Sequence, residues 1–179
     1  MSAQRSGISI ISGTDRRQSF TVRIAHVIQD SLVQRGIQNE LFSLEDLPRD
    51  LDGLGRYGVR SEAMEKIIAR HIDPFNKLIF VLPEYNGSFP GILKLFIDSV
   101  HPRHFIGKKA AMVGVSDGRS GNLRGLDHLT GILHYLRMDV HWHKPKLSEI
   151  EKAFDPDGAL IDDRANRQLN ELIERFRPF

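Results

Sequence analysis

The chain has 179 residues, 40% hydrophobic and 27% charged, an ordinary globular composition that suffices for one sizeable core and predicts a single domain over residues 1–179. Its net charge of +2 mixes 25 basic with 23 acidic residues, a balance too even to indicate nucleic-acid binding. The chain has no cysteine, no apolar run of membrane-spanning length and no signal-peptide pattern, so we expect no thiol chemistry, no membrane partner and a cytoplasmic location.

The first half of the chain begins with a short apolar segment, ISII (8–11), which predicts a strand buried on both faces. Apolar residues at helical spacing then predict a helix over 20–35, with Gly36 as its C-terminal cap. A weaker strand candidate, QNELFSL (38–44), precedes a helical pattern over 61–72.

The second half repeats this alternation three times. Two further β-branched or small apolar runs predict buried strands, KLIFVL (77–82) and AAMVGV (110–115), and MDVHWH (138–143) is a weaker candidate. Helical patterns follow these strands over 90–100, 123–138 and 165–177. Alternating strands and helices predict a five-stranded parallel sheet with helices on both faces, a doubly wound sandwich of the flavodoxin or Rossmann type.

The three strongest strand candidates are each followed by a polar, turn-rich loop. We call SGTDRRQSFT (12–21) the first loop, PEYNGSFPG (83–91) the second loop and SDGRSGN (116–122) the third loop. Because the carboxyl ends of parallel strands share one edge of a sheet, the three loops are expected to form one ligand-binding crevice there.

The first loop has the composition of an anion site. It offers hydroxyl side chains, a flexible Gly13 and the fixed positive charge of Arg16, and it precedes a predicted helix whose N-terminal N–H groups favour a phosphate. Ser19 has a helix-capping role as its simpler alternative, but the combined features favour phosphate binding. GLGRYG (53–58) fits the dinucleotide pattern by letter, but it follows no buried strand, so we interpret it as a flap.

The three loops resemble, in order and spacing, the signature segments of the NADPH-dependent FMN reductases, over about residues 8–138. The P-E-Y-N segment is highly specific for this family of flavodoxin-fold flavoproteins, which includes quinone, azo-dye and chromate reductases. The resemblance implies a flavodoxin-like three-layer sandwich that binds FMN and uses NADPH or NADH as co-substrate. It also implies a small-molecule electron acceptor and a homodimer or homotetramer.

The resemblance assigns FMN contacts by position. The phosphate would lie on residues of the first loop: Thr14, Arg16, Ser19, Phe20 and Thr21. The ribityl chain and ring would lie along residues of the second loop: Pro83, Glu84, Tyr85, Asn86 and Gly87. The other side of the ring would be closed by residues of the third loop: Ser116, Gly118 and Gly121.

Four positions depart from the family pattern. Asp15 places a negative charge beside the expected phosphate, and Asn122 replaces the second glycine of a pair, which predicts a less open turn. Leu95 and Ser99 replace an Asn and a Trp on a helix that often contributes to the dimer interface in the family. Lys94 and Asp98, four residues apart, are predicted to form an exposed ion pair.

The reaction implied by the resemblance passes hydride from NAD(P)H to bound FMN and then two electrons to an acceptor such as free flavin, a quinone, an azo compound or chromate. Because the flavin carries this chemistry, we assign no catalytic acid or base. An electron carrier or sensor without NAD(P)H turnover is the alternative. The pairs His101/His104 and His141/His143 lack an acidic partner in the sequence, so we favour a surface role over a metal site.

Overall fold

The computed structural model describes residues 5–48 and 61–179, and GLGRYG (53–58) lies outside them. Within these residues six parallel strands form one sheet. Their bounds are β1 Arg5–Ser12, β2 Asn39–Ser43, β3 Phe75–Pro83, β4 Lys109–Val115, β5 Asp139–Val140 and β6 Lys146–Leu147. The sheet order is β2-β1-β3-β4-β5, and β6 also pairs with β4. This parallel doubly wound order confirms the predicted fold class.

The described residues contain five α-helices. Their bounds are α1 Phe20–Gln34, α2 Glu62–Ile67, α3 Gly91–Ser99, α4 Leu123–Tyr135 and α5 Asp163–Phe176. Helices α1 to α4 connect successive strands, and α5 follows β6. After Gln34, Gly36 adopts a φ of +65° and caps α1, and the N–H of Ile37 returns to the carbonyl of Leu32 at 2.9 Å. The predicted Gly36 cap is therefore confirmed. None of the helices in the described ranges is long and apolar enough to cross a membrane.

Helices cover both faces of the sheet. Successive strand residues point to opposite faces, and in β3 these residues are apolar on both, so each face needs a cover. On β3, Leu78 and Phe80 belong to the core packed under α2, α3 and α4. Ile79 and Val81 belong to the other core, under α1 and α5. The central strands are buried on both faces, and this explains why their sequences read as continuous apolar runs.

The predicted strand over 138–143 is shorter in the structure, where β5 spans only Asp139–Val140, and the sequence did not predict β6 at Lys146–Leu147. β5 pairs with the start of β4, through Lys109 opposite Asp139, and β6 pairs with its end, through Val115 opposite Leu147. Between them the N–H of His141 still donates to the carbonyl of Ala110 at 2.8 Å, and the carbonyl of Pro145 accepts from the N–H of Gly114 at 2.9 Å. Residues 142–144 thus separate the two pairings. The sheet is therefore five strands wide but contains six strands.

Candidate functional site

The three loops meet at the carboxyl edge of the sheet and line one cleft of about 310 Å³. The lining includes eight of the predicted site residues: Arg16, Ser19, Phe20, Thr21, Pro83, Glu84, Tyr85 and Ser116. The other five predicted residues do not line it: Thr14, Asn86, Gly87, Gly118 and Gly121. The expected crevice is present, and its position follows from the parallel sheet.

The first loop presents hydrogen-bond donors where it lines the cleft. Arg16 and Arg17 line the cleft and are exposed. Ser19 caps α1 by accepting a hydrogen bond from the N–H of Val22 at 3.2 Å, so the alternative role of this residue, helix capping, is confirmed. The N–H groups of Phe20 and Thr21, in the first turn of α1, have no acceptor within the described residues, as is usual at a helix N-terminus. These donors and the helix dipole favour an anion.

Thr14 lies behind the cleft rather than in its wall. Its side chain is fully buried, and its Oγ1 lies 3.0 Å from the hydroxyl of Tyr85 in the second loop. The same oxygen accepts a hydrogen bond from the backbone N–H of Arg16 at 3.2 Å. Thr14 therefore links the first loop to the second.

The second loop turns tightly at Asn86 and Gly87. Both have positive φ, +50° and +77°, and two backbone hydrogen bonds between Tyr85 and Ser88, at 2.8 and 3.1 Å, close the turn. Positive φ at both central residues is the mark of a type I′ turn, for which Asn-Gly is the preferred sequence. The Ser88 hydroxyl lies 2.9 Å from Nδ1 of His128 on α4 and ties the turn to that helix. The Asn-Gly pair thus shapes the rim beside Tyr85.

The third loop and the start of α4 fix the second loop in place. Asn122, fully buried with a φ of +63°, donates from Nδ2 to the carbonyls of Leu82 at 3.1 Å and Pro83 at 2.8 Å. Ser120 donates to Oε2 of Glu84 at 2.8 Å. Asn122 adopts the left-handed conformation that a glycine would supply, and its amide positions the end of β3. Sequence reasoning treated Asn122 only as a departure and missed this role.

The predicted glycines of the third loop have different surroundings. Gly121 has a φ of +58°, and a Cβ there would lie 2.7 Å from the backbone carbon of Lys146, so Gly121 permits close packing against β6. The Gly118 carbonyl accepts a hydrogen bond from the Ser116 hydroxyl at 2.9 Å. Ser116 lines the cleft, while the two glycines set the shape of the loop behind it.

Six residues of the cleft wall were missed by sequence reasoning: Arg17, Gln18, Val115, Asp117, Ile150 and Glu151. The first four are neighbours of predicted residues. The last two belong to a short 3₁₀ helix after β6, Ile150–Ala153, whose sequence carries no ligand-binding pattern. Their approach to the cleft depends on the pairing of β6 with β4, which is a tertiary contact.

Neither histidine pair belongs to a group of three or more His, Asp or Glu side chains that could hold a metal ion in the part of the chain that the structure describes. Nδ1 of His104 lies 2.5 Å from the Asp73 carboxylate, and His101 accepts a hydrogen bond from the N–H of Arg103. The surface interpretation is wrong for His141, which is buried with its ring edge against Phe176, because α5 covers that side of β5. Burial lowers the pKa of His141.

Two of the departures on α3 contact each other. The hydroxyl of Ser99 donates to the carbonyl of Leu95 at 2.8 Å, and Ser99 is buried. The predicted pair of Lys94 with Asp98 is confirmed, with 2.7 Å between its charged atoms and both side chains about half exposed.

Comparisons with known proteins agree with this geometry. Residues 7–143 match the family model of the NADPH-dependent FMN reductases. The chain is 35% identical to an NAD(P)H-dependent FMN reductase of Pseudomonas aeruginosa, with 93% of this chain and 91% of that protein covered. It is 27% identical to a 2-hydroxy-1,4-benzoquinone reductase of a Burkholderia species, over 94% of this chain and 93% of that protein.

Solved structures share the fold. FerB, a flavoenzyme NAD(P)H:(acceptor) oxidoreductase of Paracoccus denitrificans, has a TM-score of 0.78 at 23% identity, covering 96% of this chain and 95% of that one. A flavodoxin from Streptococcus has a TM-score of 0.59 at 12% identity, over 96% and 97% of the two chains. With the family match extending over most of the chain, the protein belongs to the NADPH-dependent FMN reductase family and is an oxidoreductase that uses FMN and NAD(P)H.

Proposed function

We propose that FMN binds in the cleft with its phosphate on the first loop and its ring between the second and third loops. The supporting observation is the distribution of donors along the cleft. Arg16, Arg17 and the first residues of α1, whose N–H groups have no acceptor within the described residues, form the first-loop part of the wall, and Tyr85 and Val115 belong to other parts of it. A ligand with a phosphate at one end and a flat aromatic system at the other matches this set.

The residues would contribute binding and orientation. Arg16 and the hydroxyl of Thr21, with the N-terminal N–H groups of α1, would hold the phosphate. Glu84 and Tyr85 on one side and Ser116 on the other would hold the ring. When bound, FMN supplies the redox chemistry, accepting hydride from NAD(P)H and delivering two electrons to the acceptor. No side chain is assigned a proton-transfer role.

For the acceptor we propose a small quinone. Relatives over most of the chain are named quinone reductases, among them proteins of Burkholderia, Pseudomonas putida and rice. Another relative is named an NADPH azoreductase, and so azo compounds, free flavin and chromate are further acceptors to test. No observation favours an electron carrier without NAD(P)H turnover.

We further propose a homodimer or homotetramer in the cytoplasm. The resemblance to family members that complete the flavin pocket with a partner supports the assembly, and Leu95 and Ser99 on α3 are the first positions to examine in its interface. A chain without cysteine gains nothing from an oxidising compartment, and this supports the location. Light scattering tests the assembly, and a monomer with full activity would refute it.

The experiment that tests the function is an anaerobic stopped-flow measurement on the purified holoprotein. Mixing with NADPH, and separately with NADH, should bleach the visible absorbance of the bound flavin. A second mix with benzoquinone should restore it. If neither nucleotide bleaches the flavin within seconds, the protein is not an NAD(P)H-dependent reductase. Bleaching without recovery would instead exclude quinones as acceptors.

A further inference from the structure

Thr14 occupies an unexpected position for a phosphate ligand. It follows Gly13 at the start of the first loop, but its side chain has no exposed surface and does not line the cleft. Thr21 is also buried, and it does line the cleft. The two threonines of the same loop therefore face different surroundings, although the resemblance gives both to the phosphate.

The hydrogen bonds of Thr14 are directed inside the protein. A hydroxyl has one donor and two acceptor positions. Oγ1 of Thr14 accepts from the N–H of Arg16 at 3.2 Å, and it lies 3.0 Å from the hydroxyl of Tyr85, where either group can donate. Thr14 is fully buried and, unlike Thr21, is not part of the cleft wall, so the remaining capacity of this oxygen is not offered to a ligand there.

Tyr85, by contrast, lines the cleft and is half-buried. Its backbone is fixed by the turn to Ser88, and its hydroxyl is fixed by Thr14. The Thr14–Tyr85 contact joins residues 71 positions apart, one in each of the two loops. It is a direct side-chain link between the loop assigned to the phosphate and the loop assigned to the ring.

We propose that Thr14 is a positioning residue that does not bind the phosphate and instead holds Tyr85 in its place beside the flavin ring. This rests on the proposed FMN site. Removing the Thr14 hydroxyl should release Tyr85 and so weaken every ligand that carries the ring, with or without a phosphate. A side chain that binds the phosphate would behave differently, because its removal would weaken the binding of FMN and leave the binding of riboflavin unchanged.

The test compares two valine variants in the same loop. Thr14→Val and Thr21→Val each remove one hydroxyl with little change in shape, and the affinities of the apoprotein for FMN and riboflavin are measured by quenching of flavin fluorescence. Thr14→Val should weaken both flavins by the same factor, about 2- to 13-fold, the range for losing one hydrogen bond. Thr21→Val should weaken FMN alone. Thr14→Ser, which keeps the hydroxyl, should restore both affinities.

A second arm removes the same contact from its other side. Tyr85→Phe should weaken both flavins by about the factor seen for Thr14→Val, and the double variant should be no weaker than the weaker single one, because both delete one interaction. Urea unfolding of the apoprotein shows whether Thr14→Val folds. If it does not, the flavin affinities of Tyr85→Phe alone test the proposal. No loss of either flavin in Tyr85→Phe would overturn the proposal.

The outcomes separate this proposal from the proposed site. If Thr14→Val weakens FMN and leaves riboflavin unchanged, Thr14 binds the phosphate and the inference is wrong. Additive losses in Thr14→Val and Tyr85→Phe would also refute it. If the wild-type apoprotein binds FMN and riboflavin equally, the phosphate site is wrong, whereas equal losses of both flavins in Thr14→Val would still support the role of Thr14.

Discussion

The two ends of the cleft differ in how their polar groups are satisfied. Around the second loop, polar groups pair within the protein: Asn122 donates to the carbonyls of Leu82 and Pro83, and Ser120 donates to the carboxylate of Glu84. Around the first loop, residues 15–18 are exposed, and the first N–H groups of α1 have no acceptor within the described residues. Most polar groups named around the second loop are paired within the protein, with Oδ1 of Asn122 a buried exception, whereas the first loop presents donors to solvent.

This difference indicates a division of labour. Because hydrogen bonds inside the protein already hold the second loop, we expect the end assigned to the ring to need less ordering on binding. In the proposed complex, the phosphate would supply acceptors for the exposed donors of the first loop. Substitutions at the end assigned to the ring should therefore reduce the stability of the protein. Substitutions at the end assigned to the phosphate should weaken FMN binding and leave stability nearly unchanged.

The largest expected effect is on stability, from Asn122→Ala. The variant loses two hydrogen bonds, leaves the carbonyls of Leu82 and Pro83 unpaired, and places alanine at a φ of +63°. We expect the free energy of unfolding of the apoprotein, measured in urea, to fall by about 3 kcal/mol. Asn122→Gly is the matched control. Because glycine tolerates the positive φ, the free energy of unfolding of this variant should fall by only about 2 kcal/mol. Losses below about 1 kcal/mol in both variants would show that this amide does not hold the loop.

The next effect is on binding, from Arg16→Ala. Hydrogen bonds to charged groups contribute roughly 1.5–3 kcal/mol, so FMN should bind about 10- to 150-fold more weakly, with riboflavin unchanged. Because Arg16 is exposed, the urea midpoint of the apoprotein should hardly move. Arg17→Ala, also in the cleft wall, should affect FMN much less. If Arg17 carries the loss instead, the assignment of the first loop is displaced by one residue.

A smaller effect concerns pH and lies outside the cleft. Burial is the main cause that lowers the pKa of His71, with a contribution from Arg70, and burial also lowers the pKa of His141. Below about pH 6.5 the unfolded chain binds protons that the folded protein still excludes, so stability should fall as the pH drops below that value. Urea unfolding at pH 7.5 and 5.5 measures this. His71→Phe, which keeps a ring beside Phe42, should reduce the difference, and an unchanged difference would exclude His71 as a source.

The smallest effect is expected from Asp15→Ala. Asp15 is exposed beside the proposed phosphate site, and removing its negative charge should tighten FMN by less than about 5-fold, the range for exposed charges. Raising the salt concentration should abolish the gain, since salt screens exposed charges. Weaker binding in this variant would mean that Asp15 has a structural role in the first loop.

The features predicted from the sequence are those with a local pattern. The apolar runs of β1, β3 and β4 identified strands buried on both faces, and the polar loops after them located the cleft at the carboxyl edge. Arg16 and Ser19 could be placed at its wall because they precede a recognisable helix. Each of these depends on neighbours within a few residues along the chain.

The features that the sequence did not reveal depend on partners far along the chain. The burial of Thr14 follows from its contact with Tyr85, and the role of Asn122 follows from carbonyls about 40 residues earlier. The short strand β6 is placed by its pairing with β4, through Val115 opposite Leu147, and the chain after it brings Ile150 to the cleft. No local pattern encodes such contacts.

The most direct test of the central claim is a paired titration of the wild-type apoprotein with FMN and with riboflavin. The two ligands share the ring and differ by the phosphate, so their affinity ratio measures what the exposed donors of the first loop contribute. With Arg16 and the N-terminus of α1 in contact with the phosphate, FMN should bind at least about 10-fold more tightly. Equal affinities would contradict the assignment of the first loop to the phosphate.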